Sequence, residues 1–191
     1  MRSIAPIFAL AFVASAPVLA TEVVPVPAFH SVELRGGGDV IVVPGPVQRV
    51  TLVQGSTQFT RFHMRGDGQL QIDACNQRCP RNYPLQIRIE SPRMPDAAIS
   101  GGGTIRAAAG FAAQHNLAAA IRGGGTIDLR SVEAGEVSAA VNGGGDIFVR
   151  ADVRQYGNTD QAIAVDRAVL FGEIIIESLD NADESRLVAD R

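Results

Sequence analysis

The sequence predicts an all-β protein wound as a β-solenoid with coils of roughly 21 residues. The first observation is a set of four glycine triplets: Gly36-Gly37-Gly38, Gly101-Gly102-Gly103, Gly123-Gly124-Gly125 and Gly143-Gly144-Gly145. Each is followed by Thr or Asp and then by Ile or Val. The second is their phase. The last three start 22 and 20 residues apart, and the first precedes the second by 65, about three such intervals. The third is the alternation of apolar and polar residues on both sides of the triplets, which is the period of a half-buried strand. Short strands at a fixed period mark repeat architectures, in which each unit buries its apolar face only against its neighbours.

The chain opens with Arg2, an apolar run from Ile4 to Val13, and a small-residue exit at Ala14-Ser15-Ala16-Pro17-Val18-Leu19-Ala20. This is the form of a secretory signal peptide, with cleavage expected after Ala20. An uncleaved anchor is the alternative, but the run is short of the roughly 20 apolar residues a bilayer span needs. No later segment reads as a membrane helix. The expected organisation is a signal at 1–20 and one domain over 21–191, with a core at about 29–176 and a tail or cap at 177–191.

From there the elements read in order. Val23-Val24-Pro25-Val26-Pro27 is an extended lead-in. Phe29 to Leu34 alternates as a strand, and Val40 to Val43 continues beyond the first triplet. Pro44-Gly45-Pro46 is a strong turn. Arg49 to Val53 is a further strand, Gly66-Asp67-Gly68 a turn, and Gln69 to Ile72 and Leu85 to Ile89 are strands. From Ala97 the repeat becomes regular: Ala97-Ala98-Ile99, Ala119-Ala120-Ile121 and Ala139-Ala140-Val141 each lead into a triplet. Ile105, Ile127 and Ile147 follow the triplets and are expected to pile into one core ladder. The last strands fall at 161–165 and 172–177. Whether residues 29–95 join the same coil stack or form a separate β-sandwich-like cap stays open.

Glycine suits the corner because a coil must bend sharply between strands, and glycine reaches backbone angles closed to other residues. At about 3.3 Å per residue the coil contour fits three sides, and the core has room for about seven coils.

The two cysteines, Cys75 and Cys79, lie four apart. In an exported protein one intrachain disulfide is the default reading. Two thiolates without a nearby histidine are too few for closed zinc coordination. Net charge is −3 and all 17 basic residues are arginine. That balance argues against a nucleic-acid partner, and the lack of lysine removes Schiff-base and phosphate-loop chemistry. Nor do strands after the triplets match a phosphate loop, which needs a helix there. Gly-Gly-Gly-Asp, at Asp39 and Asp146, resembles a calcium nonapeptide only in part, since that motif repeats every nine residues. His30, His63 and His115 have no metal-ligand spacing. The acids are scattered, so neither paired carboxylates nor a metal centre is expected. Arg65-Gly66-Asp67 matches a cell-attachment tripeptide in a turn, where Gly and Asp are common anyway. No catalytic, cofactor or metal residues are assigned.

The order of these segments, from Phe29-His30-Ser31-Val32-Glu33-Leu34 through Gly66-Asp67-Gly68-Gln69-Leu70-Gln71-Ile72 and Leu85-Gln86-Ile87-Arg88-Ile89 to the triplets, resembles the "putative auto-transporter adhesin, head GIN domain" family. The similarity runs over roughly residues 29 to 176. That family usually shows Gly-Ser-Gly where this chain has Gly-Gly-Gly. The resemblance implies a right-handed parallel β-helix or β-solenoid and an exported bacterial protein, in the periplasm or at the cell surface. It carries no catalytic residues over.

The expected function is therefore that of a non-enzymatic exported envelope protein, a structural or adhesin-like binding module without cofactor. Its partner would be an envelope protein, a glycan or a second copy. The alternative is a glycan-active β-helix enzyme, a lyase or hydrolase, which needs acids converging on one face.

Overall fold

The computed structural model describes residues 21–76 and 78–149, together with the backbone of a short strand at 174–176. The expected signal at 1–20, the strand at 161–165 and the cap at 177–191 lie outside the described residues. The fold is all-β. Fourteen strands are described, in two sheets.

The first sheet holds β1 (Glu22–Val24), β3 (Asp39–Pro44), β4 (Arg49–Gln54), β7 (Gln86–Ser91), β9 (Thr104–Ala107), β11 (Gly125–Asp128), β13 (Gly145–Val149) and β14 (Ile174–Ile176), in the order β1-β4-β7-β3-β9-β11-β13-β14. The second holds β2 (Ser31–Arg35), β5 (Arg61–Met64), β6 (Gln69–Asp73), β8 (Asp96–Gly101), β10 (Gln114–Gly123) and β12 (Ala134–Asn142), in the order β12-β10-β8-β2-β6-β5. The inner faces of both share a single aliphatic core.

The expected right-handed parallel β-helix, three-sided and seven coils long, is not what forms. A closed solenoid adds each coil to the end of the stack with every strand parallel. Here both sheets are mixed. Strands β1, β4, β5 and β14 run antiparallel to their neighbours. The stack is also out of sequence order, because β2 lies between β6 and β8, and β3 lies between β7 and β9. The physical reason is local. After Pro44-Gly45-Pro46 the chain returns to the sheet it left, as β4, instead of crossing to the other one. The turn at 65–68 likewise folds β5 and β6 into a hairpin.

The 65-residue interval is thus not three coils. It is an excursion that leaves the first triplet and comes back beside it. Strand β2 pairs directly with β8, and Gly36 N donates to Ser100 O at 3.0 Å. Thr104 N donates to Gly38 O at 2.8 Å. The four triplets therefore stack as consecutive rungs, in the spatial order 36–38, 101–103, 123–125, 143–145.

Each triplet carries the chain from the second sheet to the first. Gly103 has φ +104°, and a Cβ placed there would meet Gly38 O at 2.5 Å and Leu34 Cδ2 at 2.8 Å. Gly123 has the same φ, and its Cβ would lie 2.8 Å from Gly101 O. Successive corners thus approach backbone to backbone, and any side chain at these positions would push the rungs apart. Around Gly102, by contrast, there is open space.

Beyond the corners, register carries the core. Ile127 pairs with both Ile105 and Ile147, and all three are fully buried. Val40 and Ile87 continue the same row into β3 and β7. In the second sheet Leu34, Ile99, Ile121 and Val141 form the facing row. Each fully buried aliphatic contributes about 1.5–3 kcal/mol. Cys75 and Cys79 are joined by a disulfide in the loop after β6. In the chain-entropy model so short a loop contributes about 2 kcal/mol.

Two alanine substitutions in one triplet are expected to separate sharply in a thermal melt. Gly103→Ala, with positive φ and a backbone carbonyl in the way, should lose at least about 2 kcal/mol. Gly102→Ala should stay within about 0.5 kcal/mol of the parent. Equal melting temperatures for the two variants would contradict the stacked-corner geometry.

Candidate functional site

Since strand side chains alternate, each sheet offers one face to the core and one to the outside. The outer face of the second sheet divides into two halves. In the middle of β8, β10 and β12 the outward residues are small, Ala98, Ala118, Ala120, Ser138 and Ala140, while Ser100, Arg122 and Asn142 stand toward the glycine corner and Asn116 and Glu136 toward the other end. The small residues floor a shallow trough of about 340 Å³, with Asp96 and Gln69 on its border. Over β2, β6 and β5 the outward residues are long and polar. Asp96 Oδ1 accepts from Ala118 N at 2.8 Å, so this carboxylate serves the sheet. Ser100 Oγ donates to Glu33 Oε1 at 2.7 Å, and Arg35 pairs with Asp73 at 3.5 Å.

On the outer face of the first sheet a different row forms. Arg88, Ile41, Arg106, Asp128 and Phe148 are successive register partners across β7, β3, β9, β11 and β13. Arg130 grips Asp128 through two side-chain bonds, Nη2 to Oδ2 at 2.8 Å and Nε to Oδ1 at 3.0 Å, and its guanidinium lies 5.0 Å from the centre of the Phe148 ring. These bonds hold the Asp128 carboxyl below the ordinary carboxylate range. Partial burial opposes the shift, and the charge of Arg106 adds slightly to it. Glu90 is shared between Arg88 at 3.4 Å and Arg49 at 3.8 Å.

The residues singled out in the sequence are placed as follows. The twelve triplet glycines line one continuous edge between the sheets. Asp39, Thr104, Thr126 and Asp146, which follow them, form one register row. Two threonines stand between Asp39 and Asp146, so the structure does not bring these acids together. His30 Nε2 lies 2.7 Å from Asp67 O, while His63 and His115 sit on separate strands. In Arg65-Gly66-Asp67, Asp67 Oδ1 accepts from Gln69 N and Oδ2 faces Arg65 Nε at 3.6 Å, so the tripeptide closes the β5–β6 turn. Among the described residues no three His, Cys, Asp or Glu side chains form a cluster able to hold a metal. No helix among them is long and apolar enough to cross a membrane.

The row from Ile41 to Phe148 escaped the sequence reading, although a signal for it existed. Aligning the four triplets puts Ile41, Arg106, Asp128 and Phe148 in one column, two residues past Asp or Thr.

The family model described as "Putative auto-transporter adhesin, head GIN domain" matches residues 28–163. The chain belongs to this family. Among solved structures, this GIN domain is similar to a crystal structure described as a "putative lipid binding protein" from Parabacteroides distasonis. The TM-score is 0.50 at 13% identity, covering 72% of this chain and 68% of that one. At that identity the likeness is one of fold. Two structures described as "putative adhesin" are also similar. One is from Bacteroides fragilis (TM-score 0.37, 15% identity, 71% of this chain and 84% of that one). The other is from Parabacteroides distasonis (TM-score 0.38, 12% identity, 72% and 67%). Comparison with curated proteins finds no match. Neither the family nor these structures are described as enzymes.

The Asp128–Arg130 pair gives a pH prediction for this GIN domain. A carboxylate with a lowered folded pKa adds stability above its unfolded pKa of about 3.9, and loses it as pH falls through the folded value. Asp128→Asn should therefore lower the urea midpoint at neutral pH. The gap to the parent should close on acidification below about pH 4. A gap unchanged by acid would show that the pair contributes nothing through charge.

Proposed function

We propose that this chain is an exported, non-enzymatic binding module of the bacterial envelope, adhesin-like in role and built as one domain after removal of residues 1–20. The outer trough of the second sheet carries this reading. The middle of three neighbouring strands presents a side-chain-poor floor, the kind that a partner covers by area. The carboxylates nearby support it. Asp96, Glu33 and Asp73 each hold a backbone amide, a hydroxyl or an arginine, and Glu90 and Asp128 on the opposite face are held by arginines. Catalysis by paired acids needs one carboxyl free to carry a proton and a second facing the same reacting bond.

The partner under this reading is a glycan, an envelope protein or a second copy. A small floor of alanine and serine lets an extended chain or another sheet face approach closely. Export fits the family and the disulfide, which persists in oxidising compartments.

Purified protein lacking residues 1–20, applied to a glycan array and measured in parallel by size-exclusion light scattering, tests the proposal. Retention on glycans, or a mass that rises with concentration and falls in Ala120→Arg, is the expected result. A monodisperse monomer that binds no glycan would remove the glycan and second-copy partners and leave only an envelope protein, and new reducing ends released from a polysaccharide would overturn the proposal.

A further inference from the structure

We propose that Asn142, at the entrance to the fourth glycine corner, is a self-modification site. The amide nitrogen of Gly143 closes on its carboxamide, ammonia leaves, and water opens the resulting succinimide to aspartate or isoaspartate. This inference stands apart from the binding-module reading and needs no partner other than water.

The chain holds one Asn-Gly step, Asn142-Gly143, and one Asp-Gly step, Asp67-Gly68. Both are chemically disposed to cyclise, because glycine has no side chain to hinder the approach of its nitrogen to the preceding side chain. The fold treats them oppositely. Gly68 N donates to Arg65 O at 3.1 Å, and the Asp67 carboxylate accepts from Gln69 N at 3.2 Å. Nucleophile and electrophile are therefore both held in the β5–β6 turn. Gly143 lies past the end of β12, the edge strand of the second sheet, and its N–H finds no carbonyl among the described residues. Its counterpart in the first corner, Gly36 N, donates to Ser100 O at 3.0 Å. Position in the stack explains the difference. Amide groups along a parallel strand are shared between its two neighbours, and among the described strands β12 has a neighbour on one side only. Asn142 itself is exposed, and among the described residues no hydrogen bond holds its carboxamide. The other three corners are entered from Arg35, Ser100 and Arg122, which cannot close such a ring.

The steps balance with water alone. Gly143 N loses its proton and bonds to Asn142 Cγ. The Cγ–Nδ2 bond breaks, and the nitrogen leaves as ammonia with that proton. Water then adds to either ring carbonyl. Opening the bond between Gly143 N and Cγ gives aspartate and restores the original backbone. Opening the bond between Gly143 N and the main-chain carbonyl carbon gives isoaspartate, whose main chain runs through the side-chain carbons and is longer. The corner accommodates these products differently. Asn142 is the register partner of Arg122, which is exposed and makes no ion pair within 4.0 Å among the described residues. An aspartate carboxylate there gains an opposite charge across the strand pair without moving the main chain. Isoaspartate has no such fit. A Cβ on Gly143 would already run into Gly123 O and lie 2.9 Å from Gly123 Cα, so the corner has no room for an added main-chain carbon. The longer backbone displaces the last rung and loosens β12 against β10. Loss of ammonia makes the change one-way.

The test ages the purified protein lacking residues 1–20 in mildly alkaline buffer, once folded and once in urea, and maps its peptides by mass spectrometry. An isoaspartyl methyltransferase scores the isoaspartate branch. In the folded protein Asn142 is expected to convert within about tenfold of its rate in urea, since an exposed strand end opens at little cost. Asp67 should isomerise far more slowly folded than in urea. Conversion should fall sharply in Asn142→Gln, whose longer side chain must close a larger ring, and a melting temperature confirms that this variant folds. Asn142→Asp should melt like the parent, whereas the aged isoaspartate fraction should melt lower. An amide at 142 that survives in the folded protein but converts in urea would overturn the proposal. Conversion confined to other residues would do the same, as would equal protection of Asn142 and Asp67. An isoaspartate fraction that melts with the parent would overturn the crowded-corner consequence.

Discussion

Backbone packing against backbone at the glycine corners is the constraint on which the rest of the structure depends. Gly124 N donates to Gly101 O at 2.6 Å and Thr126 N to Gly103 O at 2.9 Å, so successive corners are held by main-chain bonds. Such bonds demand that the rungs approach without side chains between them. Once the corners are stacked, register is fixed on both sides at once. A slip of one residue would turn Ile105, Ile127 and Ile147 to the solvent and bring Arg106, Asp128 and Phe148 into the core. The aliphatic ladder supplies the energy and the corners supply the alignment.

The same constraint produces two unlike outer surfaces. Before the corner, the outward residues in the middle of three strands of the second sheet are alanine and serine, and they leave a trough. After it, the outward residues of the first sheet mix arginines with carboxylates, threonines, Ile41 and Phe148. A mixed architecture also manages its edges. Antiparallel β1 and β14 close the ends of the first sheet, and β5 closes one end of the second, which limits the unpaired backbone that a purely stacked coil would expose. A family described as an adhesin head is consistent with a rigid frame whose faces are free to vary.

Much of the local structure was legible in the sequence. The alternation around Ala97-Ile99 and Ile105, and its two later copies, specifies strands with a defined inner face, and those residues are buried apart from the half-buried Val141. The glycine triplets mark the corners. The global topology was not legible, because period alone does not say in what order rungs stack. Val40 and Ile105 are 65 residues apart, yet they are direct partners. Their pairing depends on two turns, at 44–48 and 65–68, that reverse the chain instead of advancing it. Turn residues announce a reversal without stating which strand the chain rejoins. The face chemistry was hidden for a related reason: Arg88 and Arg106 become neighbours of Ile41 only when β3 is inserted between β7 and β9.

The most direct test of this account is whether the first glycine corner touches the second. In isotope-labelled protein, nuclear Overhauser contacts between the Thr104 amide and the α-protons of Gly38 report on it. Stacked corners predict strong cross-peaks there, matched by contacts from Thr126 to Gly103. If Gly38 showed no contact with Thr104, the two corners would be separated by intervening coils, and the out-of-order stack, together with both surfaces drawn from it, would be wrong.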